Sequence, residues 1–102
     1  MLVYIGENLV GDVWFLDIEY LRTSHGKFLV SKIRVSKEKV DVEEGPWIFN
    51  DADEVIDLVA EESLDAETVR EVVDELSEYE EIELTDEEII RLVNEKIKTL
   101  VG

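Results

Sequence analysis

The stretch DIEYLRTSHGKFLVSKIR, Asp17 to Arg34, decides how the first half of the chain folds, because it reads as two strands around one turn. A strand-like run precedes Thr23-Ser24-His25-Gly26-Lys27 and a second run, from Phe28 to about Val35, follows it, and the segment between has the small, polar and glycine residues of a hairpin turn. A two-residue loop at His25-Gly26 makes paired positions sum to 51, and a four-residue loop, Ser24–Lys27, keeps that sum. Glu19 then faces Lys32 and Asp17 faces Arg34 on one side of the ribbon. Ile18 faces Ile33 and Leu16 faces Val35 on the other, with Trp14 and Tyr20 alongside. A slip of one residue sends every side chain to the wrong face, so charge pairs and apolar pairs support one register.

Upstream, Leu2–Ile5 is a short apolar run closed by Gly6-Glu7-Asn8, and a longer strand is expected from about Leu9 to Arg22, bent at Gly11. Downstream, a turn at Lys37-Glu38 leads to a further strand with Val40 and Val42; one long strand reaching Val42 is the alternative. Gly45–Asn50 is expected to break the sheet, because Pro46 has no N–H for a ladder, and Trp47, Ile48 and Phe49 then cap the core.

The second half has helical period. Asn50 or Asp51 caps a helix to about Glu62 with Val55, Ile56, Leu58 and Val59 inward. A second helix, from about Asp65 to Tyr79, spaces Val69, Val72, Val73 and Leu76 for one face. Glu81–Leu84 reads as a short extended piece. Thr85–Glu88 has capping-box spacing and opens a final helix that buries Ile89, Ile90, Val93, Ile97 and Leu100, with Lys96 and Lys98 suited to its C-terminal dipole. Strands followed by helices predict one α+β domain over residues 1–102: an antiparallel sheet of three or four strands (1–49) packed against three helices (50–102).

With 102 residues, 45% of them hydrophobic, the chain is long enough for a real core. It has no cysteine, which removes disulfides, thiolate nucleophiles and thiolate metal sites. The opening MLVYIGENLV lacks a basic segment and a long apolar run, so no signal peptide is expected, and no stretch approaches the roughly 18 apolar residues of a membrane span. A cytoplasmic protein is the expectation. Absent glutamine and cysteine with abundant Glu, Val and Ile resemble a thermophile's composition.

Charge is unevenly placed. The formal net charge is −17, and Asp51–Glu88 holds 18 acids against a single base, Arg70, while the remaining residues balance nine against nine. Such a block repels phosphates and anionic lipid, so direct nucleic-acid binding and membrane binding are not expected. The third helix, taken as a recognition helix, would present Asp86, Glu87 and Glu88 to a phosphate backbone.

His25 is the only histidine and has no second His or Cys to share a site, so it reads as an exposed turn residue rather than a base or metal ligand. No catalytic set emerges, and no enzyme is expected. The acid block points instead to a basic partner protein, met through Asp57, Glu61, Glu71, Glu75 and Glu78, with Phe15 as an aromatic contact on the charged side of the sheet. Self-association through the sheet edge or the last helix is a further expectation. Two alternatives use the same acids. One is calcium or magnesium held by Asp51, Asp53, Glu54, Asp86 and Glu87, although no segment has the EF-hand arrangement; no other cofactor is expected. The other is mimicry of a nucleic acid, with carboxylates occupying the basic cleft of a nucleic-acid-binding protein.

Overall fold

The computed structural model describes residues 1–102 and has two compact units, Met1–Asp51 and Ala52–Gly102. The first unit is a four-stranded antiparallel sheet in sequential order: β1 (Leu2–Glu7), β2 (Val13–Tyr20), β3 (Phe28–Val35) and β4 (Val40–Phe49). The second holds α1 (Ala52–Ser63), α2 (Ala66–Leu76) and α3 (Asp86–Val101). A sheet followed by three helices is the α+β arrangement expected from the sequence. No helix is long and apolar enough to cross a membrane.

The β2–β3 hairpin is present and His25-Gly26 lies in its connection, but the register differs from the expected one by three. Ile18 stands opposite Val30, Tyr20 opposite Phe28, Trp14 opposite Arg34 and Leu16 opposite Lys32. Paired positions therefore sum to 48, and neither Glu19–Lys32 nor Asp17–Arg34 faces across the ribbon. The reason is the length of the connection. The Leu21 N–H bonds the Lys27 carbonyl at 2.6 Å, and the Thr23 hydroxyl donates to the Gly26 carbonyl at 2.7 Å, which closes a loop longer than a two-residue turn. Gly26 is not the turn glycine. It is buried against the Ile48 side chain, and a Cβ there would collide with it.

Because the shift is odd, the two faces of β3 exchange roles. Phe28 and Val30 join Val3, Leu16 and Ile18 as the buried residues of the sheet, all 5% exposed or less. Ile33 and Val35, expected in the core, lie on the opposite face with Phe15 and Val13. Two more corrections concern strand ends. β2 begins at Val13 because Asn8–Asp12 forms a turn: the Asn8 side-chain carbonyl accepts the Val10 N–H at 3.1 Å and the Asp12 N–H at 3.0 Å. At the other end, Pro46 does not break the sheet. β4 is an edge strand, the ladder with β3 shifts register between Val30 and Ile33, and a proline is tolerated at such an irregularity. The strand continues to Phe49, leaving Ile48 60% exposed rather than capping a core. The turn expected after Val35 is present, with the Ser36 N–H bonded to the Lys39 carbonyl at 2.9 Å.

In the helical unit the 3.6-residue period is realised. Val55, Ile56, Val59 and Ala60 of α1, Val69, Val72, Val73 and Leu76 of α2, and Ile89 and Val93 of α3 are buried. Asp65 caps α2 by accepting the Glu67 N–H at 3.4 Å, and its carboxylate also takes the Thr68 hydroxyl at 2.7 Å. Thr85 caps α3, accepting the Glu88 N–H at 3.2 Å while its hydroxyl donates to the Glu88 carboxylate at 3.0 Å. At α1 the Ala52 N–H is bonded by the Glu80 carboxylate at 3.2 Å, a partner 28 residues along the chain. Glu81–Leu84 is not a strand. Ile90, Ile97 and Leu100, expected in the core, are 51%, 38% and 70% exposed, because α3 carries more apolar positions than its inward stripe holds.

Candidate functional site

The residues expected to meet a partner lie mainly on α1 and α2. Glu71, Glu75 and Glu78 follow one another at i, i+4 and i+7 along the outer side of α2 and just past its end, and all three are exposed. Asp57 and Glu61 occupy the exposed side of α1, also one turn apart. This placement follows from the apolar spacing: four valine and leucine positions claim the inner face of α2 and leave the acids no other side. Within Asp51–Glu88 every acid except Glu62 and Glu80 is exposed.

The basic residues nearest these acids are already engaged. Arg70 reaches Asp74 at 3.4 Å, Asp86 at 3.3 Å and the Leu84 carbonyl at 3.3 Å, tying α2 to the segment that leads into α3. Lys96 of α3 bonds Asp57 of α1 at 2.9 Å. That carboxylate, with Glu61 and Glu95 nearby, holds the Lys96 ammonium pKa above its ordinary value despite partial desolvation. Of the expected partner residues, Asp57 is thus shared with an internal ion pair. Beside Arg70, Ala66, Glu67, Asp86, Ile89 and Ile90 line an open cavity of about 330 Å³ between α2 and α3.

The acids considered for an ion do not converge. Asp51 ends the first unit, Asp53 and Glu54 lie in the first turn of α1, and Asp86 and Glu87 lie in the first turn of α3. No three histidine or acidic side chains are grouped to hold a metal ion. His25 is exposed in the β2–β3 connection.

The sheet unit contains a cluster not anticipated from the sequence. Arg34 donates to Asp12 from Nε at 3.1 Å and from Nη2 at 2.5 Å, and its guanidinium lies 5.6 Å from the centre of the Trp14 ring. The Trp14 indole N–H donates to the Glu43 carboxylate at 2.6 Å, and the Asn8 amide to Asp12 at 3.3 Å. The Arg34 hydrogen bond is the main cause that keeps the Asp12 carboxyl below the usual carboxylate range, and the same contact raises Arg34. The visible signal was Asn8 with Gly11-Asp12, a turn that places its last carboxylate at the start of β2, within reach of β3. Every polar member has a partner inside the cluster, so it fastens the Asn8–Asp12 turn to the sheet.

Phe15 lies on the other face, half-buried, with its ring edge-to-face against Tyr4 at 6.2 Å between centres. Across the sheet Tyr4 opposes Phe15, Phe15 opposes Ile33, and Ile33 opposes Val42, one unbroken apolar row four strands wide. Comparisons with protein-family models, with curated proteins and with solved structures find no match for this chain.

Proposed function

We propose that this is a small, acidic, non-enzymatic interaction protein whose helical unit, over about residues 51–88, engages a basic partner protein. The observation that supports it is the exposure of nearly all the acids of that block around an apolar helical core, with the one base inside it, Arg70, already paired. An array of exposed carboxylates that far outnumbers its bases attracts a cationic surface, speeds encounter, and gives an affinity that depends strongly on salt. Asp57, Glu61, Glu71, Glu75 and Glu78 carry the contact in this reading.

The test is affinity capture with identification of bound proteins by mass spectrometry, run beside a Glu71→Gln/Glu75→Gln/Glu78→Gln variant. Basic proteins should be retained and then released as salt rises from 0.1 to 1 M, where the Debye length falls from about 10 Å to about 3 Å. The variant should retain less of each. Partners that bind the variant as well as the natural chain, or that resist 1 M salt, would remove the helical acids from the interface.

A further inference from the structure

We infer that the outer face of the sheet is a docking surface for a cationic amphipathic helix of a partner protein. The inference shares with the proposed function only the premise that the partner is basic, and it assigns that partner's apolar contacts to the sheet unit. The face opposite the buried Leu16 and Val30 is crossed by the row Tyr4–Phe15–Ile33–Val42, of which Tyr4 and Val42 are 51% and 60% exposed. The next row, Val13–Val35–Val40, is apolar as well. Strands β2 and β3 are therefore apolar on both faces, a pattern that belongs to strands covered on both sides. The charged residues that the register places on this outer face are Glu7, Asp17 and Glu19, all acidic.

Area and charge together select the occupant. Four strands at about 4.8 Å spacing and about six residues at about 3.3 Å give a face of roughly 400 Å². That area, its carboxylates included, is about half of the ~800 Å² per partner of a standard stable interface, which disfavours a second copy as a lasting occupant. A second copy would also add three more carboxylates and no cation. A helix of about 14 residues is about 21 Å long, enough to cross the sheet, and lysines or arginines flanking its apolar stripe would meet Glu7, Asp17 and Glu19.

The experiment is an amide-resolved NMR titration of the full chain with three synthetic peptides: a 14-residue leucine–lysine amphipathic helix, its leucine–glutamate counterpart, and an oligolysine without leucine. The leucine–lysine helix should shift amides around Phe15, Ile33 and Val42, and the leucine–glutamate helix should not. A Tyr4→Ser/Val42→Ser variant should bind at least tenfold more weakly, and Val42→Thr, which keeps the β-branch at an exposed edge position, should weaken binding in the same direction. Glu71→Gln/Glu75→Gln/Glu78→Gln should leave the sheet shifts in place. Shifts confined to the helices, unchanged affinity in the sheet variants, or a free protein that sediments as a dimer until Val42 is replaced would overturn the inference. Oligolysine reports separately on the helical acids: its failure to shift them counts against the proposed function and leaves the sheet result standing.

Discussion

Lys96 of α3 reaches across to Asp57 of α1 with 2.9 Å between ammonium and carboxylate, so one of the few cations of the helical unit is held inside it. Only about a quarter of the Lys96 side chain is exposed, whereas half of Asp57 is. Solvent therefore screens the pair from one side, and its contribution should lie in the surface range.

Lys96→Met keeps the apolar stem and removes the charge, and should cost about 0.5 kcal/mol or somewhat more at neutral pH. The sign of the pH dependence follows from the raised Lys96 pKa, due first to the Asp57 hydrogen bond. A cation favoured by folding contributes fully below its unfolded value of 10.5, and the contribution disappears as pH rises through the higher folded value. Urea unfolding should find the natural chain and Lys96→Met differing at pH 7 and converging above the ordinary lysine range. A difference that persists there would mean that packing, not charge, holds the contact.

Asp12 behaves in the opposite sense. Its carboxyl is held below the ordinary range, chiefly by the Arg34 hydrogen bond, so its contribution is present above the unfolded pKa and is lost as pH falls through the folded one. Asp12→Asn should lower the melting temperature at pH 7 and flatten the decline below about pH 4, the ordinary carboxylate value. Thermal melts from pH 7 to pH 2 check this. Parallel curves for the two proteins would show that the Arg34 contact does not couple to folding.

How much of this was legible in the sequence depends on how many faces an element buries. Helix α2 has one apolar stripe and a capping aspartate, and both its face and its start are readable in advance. Strand β3 is apolar at Phe28 and Val30 on one face and at Leu29, Ile33 and Val35 on the other, so alternation does not choose between a sum of 51 and a sum of 48. The ion pairs that supported the first sum were an accident of spacing: Arg34 finds Asp12, five residues before Asp17. The charged face of the helical unit was readable because the apolar spacing of α1 and α2 leaves most of their acids only the outward positions. The apolar row through Phe15 was not, because it exists only once all four strands are in register.

Gly26 and Ile48 offer a direct check of that register. The side chain of Ile48 occupies the space a Cβ on Gly26 would need. Gly26→Ala should cost about 1–3 kcal/mol by overpacking. Ile48 is 60% exposed, so its truncation alone should be mild, and Gly26→Ala/Ile48→Ala should recover most of the loss. A double-mutant cycle in urea should give a coupling of about 1 kcal/mol or more; additive losses would place Gly26 away from Ile48.

Thr85 begins α3, and its hydroxyl oxygen accepts the Glu88 N–H. Thr85→Ala should cost about 1 kcal/mol, and Thr85→Ser or Thr85→Asp should restore most of it, because each supplies the same acceptor. Stability equal to that of the natural chain in the alanine variant would mean that water satisfies the Glu88 N–H equally well.

Helix α3 separates inward from outward apolar residues more sharply than its sequence suggests. Ile89 is 1% exposed and Ile97 is 38% exposed, though both fit the apolar stripe expected from a 3.6-residue period. Ile89→Ala removes buried methyl groups and leaves a cavity, and should cost about 2–5 kcal/mol. Ile97→Ala removes atoms that water already reaches, should cost well under half as much, and gains slightly from alanine's helix propensity. If chemical unfolding gave equal losses at the two sites, Ile97 would have to be covered in solution, and the outward side of α3 would be an interface rather than a free surface.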